Sequence, residues 1–189
     1  MSEQHYKLWN RLFGWGIFAI ALFTFASTVE PTASYWDAGE YIATAAKLQV
    51  GHPPGAPLFQ MMGAFFASFA SGPEKIALMV NAMAVFSSFF TVLFLFWTLT
   101  LLFRKLPAFS SLDTFPQRLS FFGSAAVGAL SFCFSYSFWF NAVEAEVYAM
   151  ATLILSLLFW LGLRWEQDMN TPRGDRWLLL IAFILGLSF

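Results

Sequence analysis

The stretch IALMVNAMAVFSSFFTVLFLFWTLTLLF, from Ile76 to Phe103, contains no Asp, Glu, Lys or Arg and is closed by Arg104-Lys105. A helix needs ~20 apolar residues to cross a ~30 Å hydrocarbon core, so this segment exceeds one crossing. Outward from it the pattern recurs. Apolar residues 12–29 follow Lys7 and Arg11, residues 119–138 follow Arg118, and residues 147–163 end at Arg164. A last apolar segment, 177–189, follows Arg173 and Arg176 and is too short to cross. It gives the expectation of an incomplete span in an N-terminal fragment of a longer membrane domain. Lys7, Arg11 and the small Ala26-Ser27 also suit a signal peptide. The bulky Trp15, the length of the segment and the spans beyond it favour a retained helix.

The composition agrees. Of 189 residues, 59% are hydrophobic and 11% charged, against about 25% charged in an ordinary soluble domain. That excludes a water-soluble globule and a disordered chain. A net charge of −1 leaves no basic field for nucleic acid. Cys133 is the sole cysteine, and His5 and His52 are far apart in sequence, so neither a disulfide framework nor a local zinc pair is present. The fold expected is all-α: a polytopic transmembrane helical bundle with a long first outer loop, 30–75, containing short interfacial helices.

Within that loop, Pro57–Ala70 is apolar but short for a crossing and reads as an interfacial or re-entrant helix. If it does not cross, eight of the ten basic residues fall on one side and only Lys47 and Lys75 on the other. The positive-inside rule then puts the N-terminus in the cytoplasm and residues 30–75 and 139–146 on the outer face.

The expected outer face holds two tight acidic groups. The first is Tyr35-Trp36-Asp37-Ala38-Gly39-Glu40-Tyr41, whose acids share one face of a helix. Spacing alone favours an N-cap with its capping-box partner, a reading that can coexist with reactive carboxylates at a membrane boundary. The second is Asn141-Ala142-Val143-Glu144-Ala145-Glu146-Val147-Tyr148. On a helix Glu144 and Glu146 point nearly opposite ways, and in an extended link they share a face; one is expected inward and one in water. Both also suit the first turn of the fourth span. Gly51-His52-Pro53-Pro54-Gly55-Ala56-Pro57 reads as a stiff turn that either leaves His52 solvated or holds it towards the acids, where it could meet a phosphate, a sugar oxygen or a metal. Lys47 is the other nearby outer cation. Cys133 reads as packing and Asn81 as facing the bundle interior.

These three motifs, in this order, resemble the N-terminal part of a membrane family long catalogued as a domain of unknown function. That family is similar to protein O-mannosyltransferases of the GT-C class of polytopic glycosyltransferases. The resemblance covers roughly Trp15 to Arg164. It implies a GT-C-like bundle that transfers a hexose such as mannose from a polyprenyl-phosphate donor to Ser or Thr hydroxyls of an acceptor protein. It implies catalytic Asp37 and Glu40, with Asp37 the better general base, and substrate-binding His52, Glu144 and Glu146; Lys47 and Tyr148 complete the expected binding set. A divalent metal is possible as cofactor but not specified. The expected location is a bacterial inner (plasma) membrane, with membrane lipid as a further partner and the site on the outer face. The competing readings are a secondary transporter whose acids bind ions and a non-catalytic membrane scaffold.

Overall fold

The computed structural model describes residues 1–53 and 55–188. Pro54 of the proline loop and Phe189 at the end of the last apolar segment lie outside the described residues. Eight α-helices, and no strand among the described residues, make up the chain: α1 Glu3–Ser27, α2 Ala38–Ala46, α3 Pro57–Ala67, α4 Ile76–Phe103, α5 Phe115–Cys133, α6 Tyr136–Ala142, α7 Val147–Asp168 and α8 Gly174–Leu187. The helices α1, α4 (with the turn Pro73–Lys75 before it) and α7 are long and apolar enough to cross a membrane, and α5 with α6 adds a fourth if that bent pair is one span. The all-helical membrane class expected from the sequence is therefore the class observed.

The boundaries differ in places, each for a local reason. Helix α1 starts at Glu3, well before residue 12, because the Ser2 hydroxyl caps it by accepting from the His5 N–H. The third span is not continuous to residue 138: α5 stops at Cys133, and α6 leaves at 66°. Ser135 is extended there (φ −65°, ψ 139°), and its hydroxyl donates to the Phe132 carbonyl at 2.8 Å. That bond occupies a carbonyl that a continued helix would have used. Residues 139–142, expected as link, complete α6. Helix α7 runs past residue 163 to Asp168, since Arg, Glu and Gln favour helix once it reaches water. The apolar piece after Pro57 forms an eleven-residue helix, about 17 Å long at 1.5 Å per residue, too short to cross. Helix α8, fourteen residues, is likewise short of a crossing.

Helix α4 is the central post, with α1, α5 and α7 packed against it and α3 beside its first turns. Phe89, Val92 and Phe96 of α4 meet Ile17, Ala21 and Phe25 of α1 and Phe121, Phe122 and Ala125 of α5 in one buried cluster. In lipid such packing rests on close van der Waals contact and small residues, because lipid tails are as apolar as leucine. A Cβ on Gly14 would lie 2.7 Å from Trp97 Nε1, and one on Gly63 would lie 2.7 Å from Ala45 Cβ.

The bundle has two chemically distinct ends. At one, the Met1 amino group meets Asp113 at 2.6 Å, Arg104 meets Glu3 at 3.2 Å, and Lys105 pairs with Glu166. At the other, Asn81 of α4 is fully buried and donates to the carbonyls of Glu30 (2.7 Å) and Thr32 (2.9 Å). The Glu30 N–H reaches the Val143 carbonyl at 3.0 Å, and Trp139 Nε1 donates to Thr28 Oγ1 at 3.0 Å. Both acidic groups belong to this second end.

Candidate functional site

Helix α2 presents the first acidic group. Tyr41, Ile42 and Ala45 turn inward against Phe59 of α3 and Val80 and Met83 of α4. That burial fixes the helix and leaves Asp37 and Glu40 at its exposed edge. Trp36, immediately before, takes a left-handed backbone (φ 58°), an arrangement that costs a bulky L-residue roughly 1–2 kcal/mol.

Asp37 occupies the N-cap position, but its side chain makes no cap hydrogen bond. Glu40 does not complete a capping box either. It turns to His52, accepting from the backbone N–H at 2.7 Å through Oε1 and contacting ring Nδ1 at 3.1 Å through Oε2. The capping-box reading of this pair is therefore corrected: a tertiary partner twelve residues away outcompetes the local one. Gly51 leaves room for this contact, since a Cβ there would lie 3.3 Å from Glu40 Oε1. The bond from the His52 backbone, and then the one from its ring, hold the Glu40 carboxyl below the usual carboxylate range.

A carboxylate oxygen can only accept, so the contact with Glu40 requires a proton on Nδ1. In the neutral ring, Nε2 then carries a lone pair, and it faces Asp37 Oδ2 at 3.9 Å. That gap is too long for a direct hydrogen bond. A hydroxyl lying beside the pair can donate its one proton to either acceptor. The Asp37 side chain is 57% exposed and that of His52 41%, so both can be reached from water. The Tyr41 ring stands 5.6 Å from the imidazole. Its phenol is pushed up by burial and by the charges of Glu146, Asp37 and Glu40, so it remains a neutral donor at physiological pH.

The second acidic group departs from expectation. Glu144 and Glu146 are only 4% and 7% exposed, so neither faces water. They precede α7 instead of lying in its first turn, and Glu146 is the N-cap residue in extended backbone. The Glu146 N–H turns back onto the Glu144 carbonyl at 2.9 Å, so a tight turn around Ala145 sets both side chains. Between them Ala145 is fully buried against the α2–α3–α4 cluster, which brings this segment alongside Tyr41. Among the described residues neither glutamate forms a salt bridge. Burial, then the charges of Glu144 and Asp37, push the Glu146 carboxyl above its usual range, opposed by His52. Glu144 lines a cleft of about 510 Å³ with Glu30, Ser34 and Tyr35.

Lys47 lies apart from the Asp37–His52 gap, whereas Tyr148 is near enough for its charge to act on Tyr41. Lys47 caps the far end of α2, roughly 15 Å along the axis from Asp37. Tyr148 is exposed and lines a small cleft with Asn141 and Thr152. Asp37, Glu40 and His52 each offer a donor atom within 4.8 Å of the others, a grouping that could hold a divalent cation. Because His52 engages both Glu40 oxygens, the donors left open are Asp37 and His52 Nε2.

Two supporting residues were not legible as such. Gln60 is buried and meets Thr44 Oγ1 at 3.1 Å, tying α3 to α2. Asn81, read only as facing inward, anchors the start of the acidic loop. The signal for both was a lone amide in an otherwise apolar helix.

Residues 37–189 match the family model described as the protein O-mannosyl-transferase TMEM260 N-terminal domain. The protein O-mannosyl-transferase TMEM260 of Mus musculus is 30% identical over 181 residues, covering 91% of this chain and 22% of the mouse protein. The protein O-mannosyl-transferase tmem260 of Dictyostelium discoideum is 25% identical over 162 residues, covering 85% of this chain and 18% of its own length. The chain thus spans about a fifth of these relatives. Both come from eukaryotes and lend nothing to the expectation of a bacterial inner membrane. No solved structure matches the chain.

Proposed function

Because this chain belongs to the family of protein O-mannosyl-transferase TMEM260 N-terminal domains, we propose that it contributes the acceptor-activating site of a membrane glycosyltransferase. The reaction is transfer of mannose, or a similar hexose, from a polyprenyl-phosphate donor to protein Ser or Thr hydroxyls at the outer face. The carrying observation is the Asp37 carboxylate, exposed, free of any cap bond and 3.9 Å from His52 Nε2. Both relatives bear the name protein O-mannosyl-transferase.

In this reading an acceptor hydroxyl lies beside the Asp37–His52 pair. Asp37 removes its proton as the oxygen attacks the anomeric carbon. The bond from that carbon to phosphate breaks, and the lipid phosphate leaves with the electron pair, inverting the anomeric centre. Glu40 orients the imidazole, so Glu40 and His52 serve as positioning groups. A second reading has its own support: with Nδ1–H held by Glu40, His52 Nε2 is itself placed to take the proton.

The test is incubation of the full-length protein with labelled polyprenyl-phosphate mannose and a Ser/Thr peptide. Labelled peptide is expected, absent in Asp37→Asn. Full transfer in Asp37→Asn with loss in His52→Gln would move the base to His52. No transfer from any polyprenyl-phosphate hexose, with proton or ion flux in vesicles, would favour the transporter reading.

A further inference from the structure

At the end of the bundle away from Asp37, a cleft of about 520 Å³ is lined by α1, α4, α7 and Arg173. Five cations line it, Lys7, Arg11, Arg104, Arg164 and Arg173, against the carboxylates of Glu3 and Asp168. Those carboxylates are already engaged: Glu3 by Arg104 at 3.2 Å, and Asp168 by the Trp177 indole N–H at 2.9 Å. Among the described residues, Lys7, Arg11 and Arg173 join no salt bridge. The cleft therefore keeps an excess of unneutralised positive charge.

Its inner lining is polar and unsatisfied. Tyr6 lines the cleft and is only 7% exposed, its hydroxyl set beside Thr100 and Arg104. The Trp97 Nε1–H and Asn10 Oδ1, also in the lining, are buried without partners. A buried donor left unpaired is costly unless a ligand supplies the acceptor. The indole N–H can stand against α1 only because Gly14 has no side chain, as a Cβ there would lie 2.7 Å from Nε1. Leu101 and the paired Trp97 and Trp160 rings, 5.9 Å apart, give the same cleft an apolar wall.

We propose that this cleft binds the phosphate ester of an anionic membrane lipid. Cations supply the field, the Trp97 N–H donates to a phosphate oxygen, and the indole and leucine wall takes the glycerol and first methylenes. Basic pockets between membrane helices are suited to such headgroups, and the cleft lies at the ends of three helices long enough to span. The apolar wall favours a lipid over free phosphate. The site is separate from the acidic end and does not depend on the reaction assigned there.

The experiment titrates full-length protein, in zwitterionic detergent, with dioctanoyl phosphatidylglycerol, dioctanoyl phosphatidylcholine and inorganic phosphate, and reads bound stoichiometry by native mass spectrometry. Phosphatidylglycerol is expected to bind at least tenfold more tightly than phosphatidylcholine. Removing a cation should weaken it about fivefold, so Arg11→Gln with Arg164→Gln loses roughly 25-fold. Trp97→Phe keeps a ring and removes the donor, and should lose about tenfold; the melting temperature, read alongside, separates this from the packing lost with the second ring, and the variant also serves if the double variant folds poorly. Equal binding of the two lipids, or unchanged affinity in Trp97→Phe, would overturn the proposal. Inorganic phosphate binding as tightly as phosphatidylglycerol would overturn its lipid part. Because the readout is binding, failure of mannosyl transfer would leave it standing.

Discussion

Glu40 accepts from the backbone N–H of His52 at 2.7 Å and contacts its ring at 3.1 Å. One carboxylate thus fixes both where the proline-containing loop approaches α2 and which ring nitrogen points away from it. The second ring nitrogen is left facing Asp37. This pair converts a stiff loop and a short helix into a defined gap between two proton acceptors.

Asp37→Asn separates chemistry from folding. The side chain makes no cap bond, so the melting temperature should be unchanged. Loss of a positioned base costs ~10²–10⁴-fold in rate, and turnover of the full-length enzyme should fall by that much. Near-normal turnover in a correctly inserted variant would remove Asp37 from the reaction.

Glu40→Gln should be milder in rate and should show itself against pH. The folded Glu40 has a lowered pKa, so its contribution to stability is complete above the ordinary value of about 4.3. It is lost as pH falls through the lower folded value. The variant should melt below wild type at neutral pH and converge with it in strong acid. Thermal unfolding across pH 2–7 checks this; a gap that persists in acid would contradict it.

Glu146→Gln should have the opposite sign. Burial and neighbouring acids raise the Glu146 pKa, so ionisation works against the fold as pH climbs from the unfolded value through the folded one. The neutral amide escapes that penalty. The variant should be more stable than wild type at pH 8 and equal to it near pH 4. Equal melting curves at both pH values would show that Glu146 carries no such burden.

Lys47 and Ser110 belong to the acidic and basic ends, respectively. With Cys133 buried, cysteines introduced at the two positions should react with a membrane-impermeant reagent from opposite sides. Labelling of both from one side would overturn the assigned topology.

The helices were legible because lipid demands long uncharged runs, and Ile76–Phe103 has one. The break after Cys133 was not, because Phe134, Tyr136 and Phe138 keep the apolar pattern while a serine hydroxyl ends the helix. At the site, the spacing of Asp37 and Glu40 located the right turn of chain. Their partner could not be read, since choosing His52 over a capping bond depends on where the loop lies in space. Glu144 and Glu146 show the same limit. A helical rule separates their directions, whereas a tight turn around the buried Ala145 leaves both side chains buried.

The contact between Gly63 and Ala45 has a consequence for how the protein tolerates change. Even one methyl at position 63 would press on a Cβ that cannot rotate away, so α2 and α3 must move apart, changing how Asp37 and Glu40 are held. Displacing reacting groups by about 1 Å can cost ~10²-fold in rate. A residue with no polar atom and no reach to the acids should therefore rank beside them in a mutational scan scored by activity. In a scan scored by expression, Gly63→Ala would sit among ordinary packing mutations. The disparity between the two scores identifies α3 as the part that sets the aim of the acidic helix.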